Sequence, residues 1–109
     1  MKKILTLSIA VIAFAAWSAH AADAKATYDQ ECAKCHGADG KGETKMGKKL
    51  GCKDYTDPKV QEALTDDAAV KAIKEGLKNQ EGKSLMKPSE GLSDEEVKGL
   101  VAHMRSFKK

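Results

Sequence analysis

A chain of 109 residues has room for one small domain and little else. It carries 19 Lys and Arg against 16 Asp and Glu, a formal net charge of +3, without the dense basic patch that nucleic-acid binding calls for. Its three cysteines are an odd number, so one thiol stands outside any pairing.

The first stretch reads as a targeting segment. Met1-Lys2-Lys3 is a positive start, Ile4 to Trp17 is an apolar run broken by Thr6 and Ser8, and Ala19-His20-Ala21 puts small residues at the A-x-A positions of a signal-peptidase site. The run is short of the ~20 residues that span a bilayer. The expectation is a signal peptide over residues 1–21, cleaved after Ala21 or Ala22, export to the periplasm, and a single mature domain over 22–109 with no stable membrane insertion. The alternative is an uncleaved anchor. Loss of Lys2 and Lys3 leaves 17 basic against 16 acidic residues, so most of the positive balance belongs to the leader.

Ala24 to Cys35 has few breakers and predicts a helix that runs into Cys32-Ala33-Lys34-Cys35-His36. Two thiols three apart with a histidine directly after the second is the attachment pattern for c-type haem. Positions i, i+3 and i+4 share one helix face. Cys32, Cys35 and His36 can therefore address one flat ligand: the thiols by adding to its two vinyl groups, the imidazole as proximal ligand to its iron. One covalently attached haem c is the predicted cofactor. The mature chain has only Tyr28, Tyr55 and Phe107 as aromatics, little apolar material for a self-sufficient core, and a haem would supply the missing bulk. Its two propionates would bring the net charge of the mature chain near −1. Cys52 is then the spare thiol, expected to be a semi-buried small hydrophobe or a site of disulfide dimerisation in an otherwise monomeric protein.

Gly37, Gly40 and Gly42 end the helix, and Lys41 to Lys53, rich in Lys and Gly, reads as a loop around one edge of the haem. Asp54 to Pro58 is turn-like, with Pro58 opening a short helix to about Leu64. Thr65 or Asp66 caps the next helix, on which Val70, Ile73 and Leu77 form an apolar stripe ended by Gly76 and Asn79 to Lys83. Ser84 to Gly91 reads as a loop holding Met86 and Pro88. Ser93-Asp94-Glu95-Glu96 is a capping box, and Val97, Leu100, Val101, Met104 and Phe107 make one face of the last helix. No alternating strand pattern of useful length occurs, so the fold class is all-α.

These residues resemble the small single-haem class I cytochromes c of bacteria. The likeness rests on Tyr28 upstream of the haem motif, Gly37-Ala38-Asp39-Gly40-Lys41-Gly42 after it, Ile73 with Gly76, Met86 in its loop, and Leu92-Ser93-Asp94-Glu95-Glu96-Val97 opening the terminal helix. It spans nearly the whole mature chain. The resemblance implies N- and C-terminal helices crossing beside one covalently attached haem, with Tyr28 and Phe107 near the crossing. It also implies a methionine sulfur opposite the histidine, for which Met86 is the match. Two departures stand out. Lys87 separates Met86 from Pro88, where the family has proline directly after the ligand. Lys45 to Leu50 also lacks the proline near which relatives place the carbonyl that accepts the histidine's second N–H.

Among other candidates for the sixth ligand, Met104 falls on the core stripe, and His103 flanks it, expected to be solvent-exposed or to serve the helix C-terminus. Met46 follows His36 by only ten residues but remains an alternative in flexible chain. Met86, fifty residues beyond His36, has ample reach. His–Met ligation fills both axial positions and favours Fe(II), which suits a one-electron carrier meeting redox partner proteins transiently. The runs of lysine around the motif and Met86 are read as ordinary solvated surface, the alternative being a basic rim that steers an acidic redox partner. A labile sixth position would instead give a haem protein that binds small ligands or reacts with peroxide. A thiol–disulfide or zinc reading leaves the histidine unexplained. No acid–base or nucleophile constellation points to an enzyme.

Overall fold

The computed structural model describes residues 15–109, with side chains from Asp23 onward. Most of the predicted leader lies outside the described residues. Among those described there are six helices and one two-stranded sheet: α1 (Ala15–Glu31), α2 (Ala33–His36), α3 (Lys45–Leu50), α4 (Pro58–Ala63), α5 (Asp66–Glu75), β1 (Leu77–Lys78), β2 (Ser84–Met86) and α6 (Asp94–Arg105). No described helix is long and apolar enough to cross a membrane.

Local chemistry accounts for most helix ends. Asp57 caps α4 by accepting from Lys59 N, with Pro58 in the first turn. Thr65 caps α5 by accepting from Ala68 N. Ser93 and Glu96 form the full predicted capping box at the start of α6. The Asp54 side chain accepts from both the backbone N–H and the hydroxyl of Thr56, which shapes the predicted turn before α4.

Three expectations are corrected. The helix predicted over Ala24–Cys35 starts earlier and breaks at Cys32, where φ opens to −115°, before one more turn forms α2. Lys45 to Leu50 is a short helix rather than loop. Thr44 caps α3 by accepting from Gly47 N, and Gly51 closes it in the left-handed region, so caps at both ends set a helix on good helix formers (Lys, Met, Leu) despite Gly47. Ser84 to Met86 is the return strand of an antiparallel hairpin, with Leu77 opposite Met86 and Lys78 opposite Ser84. The hairpin is closed by Asn79, whose side chain accepts from Glu81 N and Lys83 N at 3.0 Å each.

α1 and α6 pack on each other at a point where Gly99 admits Ala24: a Cβ on Gly99 would lie 3.4 Å from the Ala24 Cβ. α5 packs on the same terminal helix, with Ala69, Val101 and Met104 buried together and Tyr55, Leu64, Val70 and Ile73 partly covered around them. The core is thin. Val97 is the one large side chain under 2 % exposed among the described residues, and Leu77 is 49 % exposed.

Arg105 binds the end of α6 to the middle of the chain. Its guanidinium donates to Gln61 O, Gln61 Oε1, Leu64 O and Asp66 Oδ1. Gln61 is buried, and its own amide donates to Tyr55 O and Met104 O, so this polar cluster is satisfied inside the fold.

Candidate functional site

The predicted attachment residues stand on one helical turn. Cys32 is the first residue of that turn, and its carbonyl accepts from Cys35 N at 3.2 Å and His36 N at 3.0 Å. Gly37 then stops the turn with φ at 81°. All three side chains are half-buried and both thiols are free. Burial, then Glu31, then Cys35 push the Cys32 thiol up to about 11, so it is a protonated thiol at neutral pH.

Tyr28 braces this turn from both ends. Its carbonyl accepts from Cys32 N at 2.8 Å, and its hydroxyl donates to Gly37 O at 2.7 Å, nine residues on. The ring lies between His103, centroids 4.9 Å apart, and Phe107, 5.3 Å apart. Phe107 lies over Gly40, where a Cβ would come within 2.5 Å of the ring, and Gly40 has φ at 73°, so both space and backbone call for glycine. The expected placement of Tyr28 and Phe107 at the helix crossing holds. Of the two expectations for His103, exposure does not hold, since it is half-buried where α1 brings Tyr28 against its flank, whereas its place in the last turn of α6 does. Burial, and to a smaller extent Lys25, hold its imidazole below the ordinary value against an opposing effect of Asp29.

His36 sits 5.6 Å from Tyr55, ring centre to ring centre. Its Nδ1 is buried and has no hydrogen-bond partner. No carbonyl takes the role that the family resemblance assigns after the motif, where the chain winds into α3. The Thr44 hydroxyl that caps this helix instead donates to Cys35 O at 2.6 Å. Burial keeps the His36 imidazole below its ordinary value, hence neutral, with a lone pair available to a metal. An orphaned buried nitrogen costs about 1–3 kcal/mol. The residues present fit a flat apolar iron macrocycle: two thiols and a neutral imidazole on one turn, Tyr55 beside the imidazole, and half-covered apolar side chains around a thin core.

Met86 stands on a separate element, at the end of β2. Its carbonyl and Pro88 both close on Gly76, where a Cβ would collide with Met86 O and lie 2.9 Å from Pro88 Cδ. Ser89 N then donates to Ile73 O at 2.8 Å, which ties the segment to α5. Gly76 therefore seats the Met86 segment as well as ending α5, a role visible only once the hairpin is folded. Met104 is buried in the core as expected, and Met46 is half-buried on α3.

The comparisons with known proteins agree with this geometry. The cytochrome c family profile matches residues 21–108. The chain is similar to the solved KustC0563 c-type cytochrome, at 39% identity and a TM-score of 0.68 over 80% of this chain and 99% of that one. It is similar also to the structure of a point mutant of Kustc0563, at 37% identity and a TM-score of 0.65 over 79% of this chain and 99% of that one. No curated protein matches it. A thin helical core, two thiols with a neutral histidine on one turn, and this profile along the whole domain lead to one conclusion: the chain belongs to the cytochrome c family, as a small class I electron carrier with covalently bound haem c.

Proposed function

We propose that Cys32 and Cys35 hold the haem through thioethers, that His36 is the proximal and Met86 the distal ligand to its iron, and that the protein is a one-electron carrier rather than an enzyme. The observation that carries this reading is the single turn Cys32–His36, with its two free thiols and its imidazole kept neutral by burial. What supports Met86 is its place at the end of β2, anchored through Gly76 and Ile73, together with the family resemblance.

When bound, the haem supplies an iron that changes oxidation state by one electron. The chain's own residues hold that iron with as little rearrangement as possible. Tyr28 fixes both ends of the attachment turn, so the imidazole has a set orientation. The Gly76 contact and the Ser89–Ile73 hydrogen bond limit the travel of the Met86 segment. A neutral sulfur donor favours the reduced state and raises the potential. Residues 1–21 are proposed as a cleaved export signal, and 22–109 as a monomeric periplasmic domain that meets redox partner proteins transiently.

The test is the full chain exported in a host that matures c-type haem. Intact mass is expected to show removal of the leader and addition of one haem. The oxidised spectrum is expected to show the weak far-red charge-transfer band of iron–methionine bonding, lost in Met86→Ala. A bare polypeptide would overturn the attachment reading. A band that survives Met86→Ala, or tight carbon monoxide binding by the reduced wild type, would overturn Met86 as ligand.

A further inference from the structure

The backbone of His36 is fixed on both sides: its N–H donates to Cys32 O at 3.0 Å, and its carbonyl accepts from Gly42 N at 2.8 Å. The plane of its imidazole is a separate matter, because the ring turns about its own side-chain bonds. A metal-bound imidazole is usually held in one plane by a hydrogen bond from its other nitrogen, which also makes it a stronger donor. Here Nδ1 is buried with no partner. The Thr44 hydroxyl, on the helix that packs against this turn, is committed to Cys35 O at 2.6 Å. What meets the imidazole is a ring. The Tyr55 ring centre lies 5.6 Å from that of His36, with the two planes tilted by 40°. Tyr55 is itself held firmly. Its N–H donates to Gly40 O at 2.9 Å, and its carbonyl accepts from the Gln61 amide at 2.6 Å. Gln61 is buried and donates also to Met104 O. The Tyr55 side chain packs on Ala69, Val101 and Met104. Its ring is therefore a wall tied to α4, to α6 and to the glycine loop after the attachment turn.

We infer that Tyr55 is a positioning residue for His36, and that its ring sets the plane of the proximal imidazole in place of the hydrogen bond such a ligand ordinarily makes. The inference rests on the proposed role of His36 as proximal ligand. An imidazole held by packing keeps one orientation through oxidation and reduction, with no polar partner that must readjust. With no acceptor on its Nδ1–H it is also a weaker donor, which favours the reduced iron, in the same direction as a neutral methionine sulfur. Loss of the ring would free the imidazole to turn and would open its flank to water, which can accept from Nδ1–H and make the ligand a stronger donor.

The test uses the full chain exported in a haem-maturing host, as wild type, Tyr55→Phe and Tyr55→Leu. Tyr55→Phe keeps the ring and removes the hydroxyl, whereas Tyr55→Leu keeps apolar bulk and removes the ring. In the oxidised protein, the order and spread of the haem methyl proton resonances report the planes of the axial ligands. Tyr55→Phe is expected to keep the wild-type pattern. Tyr55→Leu is expected to change it and to shift the reduction equilibrium about ten-fold toward oxidised iron, the lower end of what a changed partner of a ligating histidine brings, or about 59 mV for one electron. A lower Tm with unchanged pattern and potential would show that Tyr55 only packs, and would overturn the inference. So would equal changes in both variants, which would assign the effect to the hydroxyl. The reduced wild type, isotope-labelled at histidine, decides the matter even where Tyr55→Leu does not fold. Cross-relaxation between the ring protons of His36 and Tyr55 is expected there. Absence of that contact, or a His36 ring N–H bonded to a backbone carbonyl, would overturn the inference. A bare polypeptide, or a wild-type iron without histidine ligation, would instead overturn the attachment reading, so the two failures are distinct.

Discussion

Removing the Tyr28 hydroxyl tests whether one buried hydrogen bond sets the geometry of the attachment turn. Tyr28→Phe keeps the ring, 4 % exposed, and its contacts with His103 and Phe107. It deletes only the 2.7 Å bond to Gly37 O. Stranding a buried acceptor costs about 1–3 kcal/mol, but Gly37 O also accepts from Gly40 N at 3.1 Å and keeps one partner. The loss therefore falls at the lower end, about 1 kcal/mol, which for a domain of this size is a fall in Tm of roughly 4–8 °C. Thermal melting of the haem-loaded protein, followed by helical circular dichroism and by haem absorbance, measures it. The two signals are expected to move together, because the bond spans the turn that carries the haem. An unchanged Tm in both would refute the bracing role. A fall larger than about 4 kcal/mol would mean that the ring, not the hydroxyl, had been displaced.

Gly76→Ala drives a Cβ into Met86 O at a backbone φ of 74°. It is expected to weaken the far-red iron–methionine band and raise carbon monoxide affinity while helix content is kept; an intact band would show that Gly76 does not seat Met86. Arg105→Lys cannot reproduce the fork onto Gln61, Leu64 and Asp66, so a loss of about 2 kcal/mol in urea unfolding is expected, with Arg105→Ala no better. For His103, burial depresses the folded imidazole below its ordinary 6.5, so the unfolded chain takes up the proton first. The stability it lends is present above about pH 6.5 and is lost as pH falls through the depressed value. His103→Gln is expected to flatten urea stability between about pH 7.5 and 5 relative to wild type, and identical pH slopes would show that His103 is not desolvated in solution.

The attachment turn, the start of α4 at Pro58, the caps of α5 and α6, and the burial of Met104 were legible in the chain because each follows from rules acting over one helical turn. Spacing puts Cys32, Cys35 and His36 on one face whatever the rest of the molecule does, and Ser93 with Glu96 makes a cap from four consecutive residues. Other features rest on partners far away. α3 is fixed in place because Thr44, which caps it, is itself held on Cys35 O, nine residues back. The hairpin escapes detection because strands of two and three residues are too short to show a period. Arg105 and Gln61 are 44 positions apart, and nothing in either neighbourhood announces their pairing.

Cofactor chemistry and helical class could thus be read from the order of residues, since covalent attachment needs a fixed local pattern that few other functions explain. Which surfaces those residues meet came from folding in three dimensions. Gly76 became the seat of Met86, His103 became part of an aromatic cluster, and Cys52 came to lie against Gly42. The division is one of range. Hydrogen bonds within a turn are encoded by neighbours along the chain, whereas close packing depends on which distant backbone arrives and on how much side chain it brings.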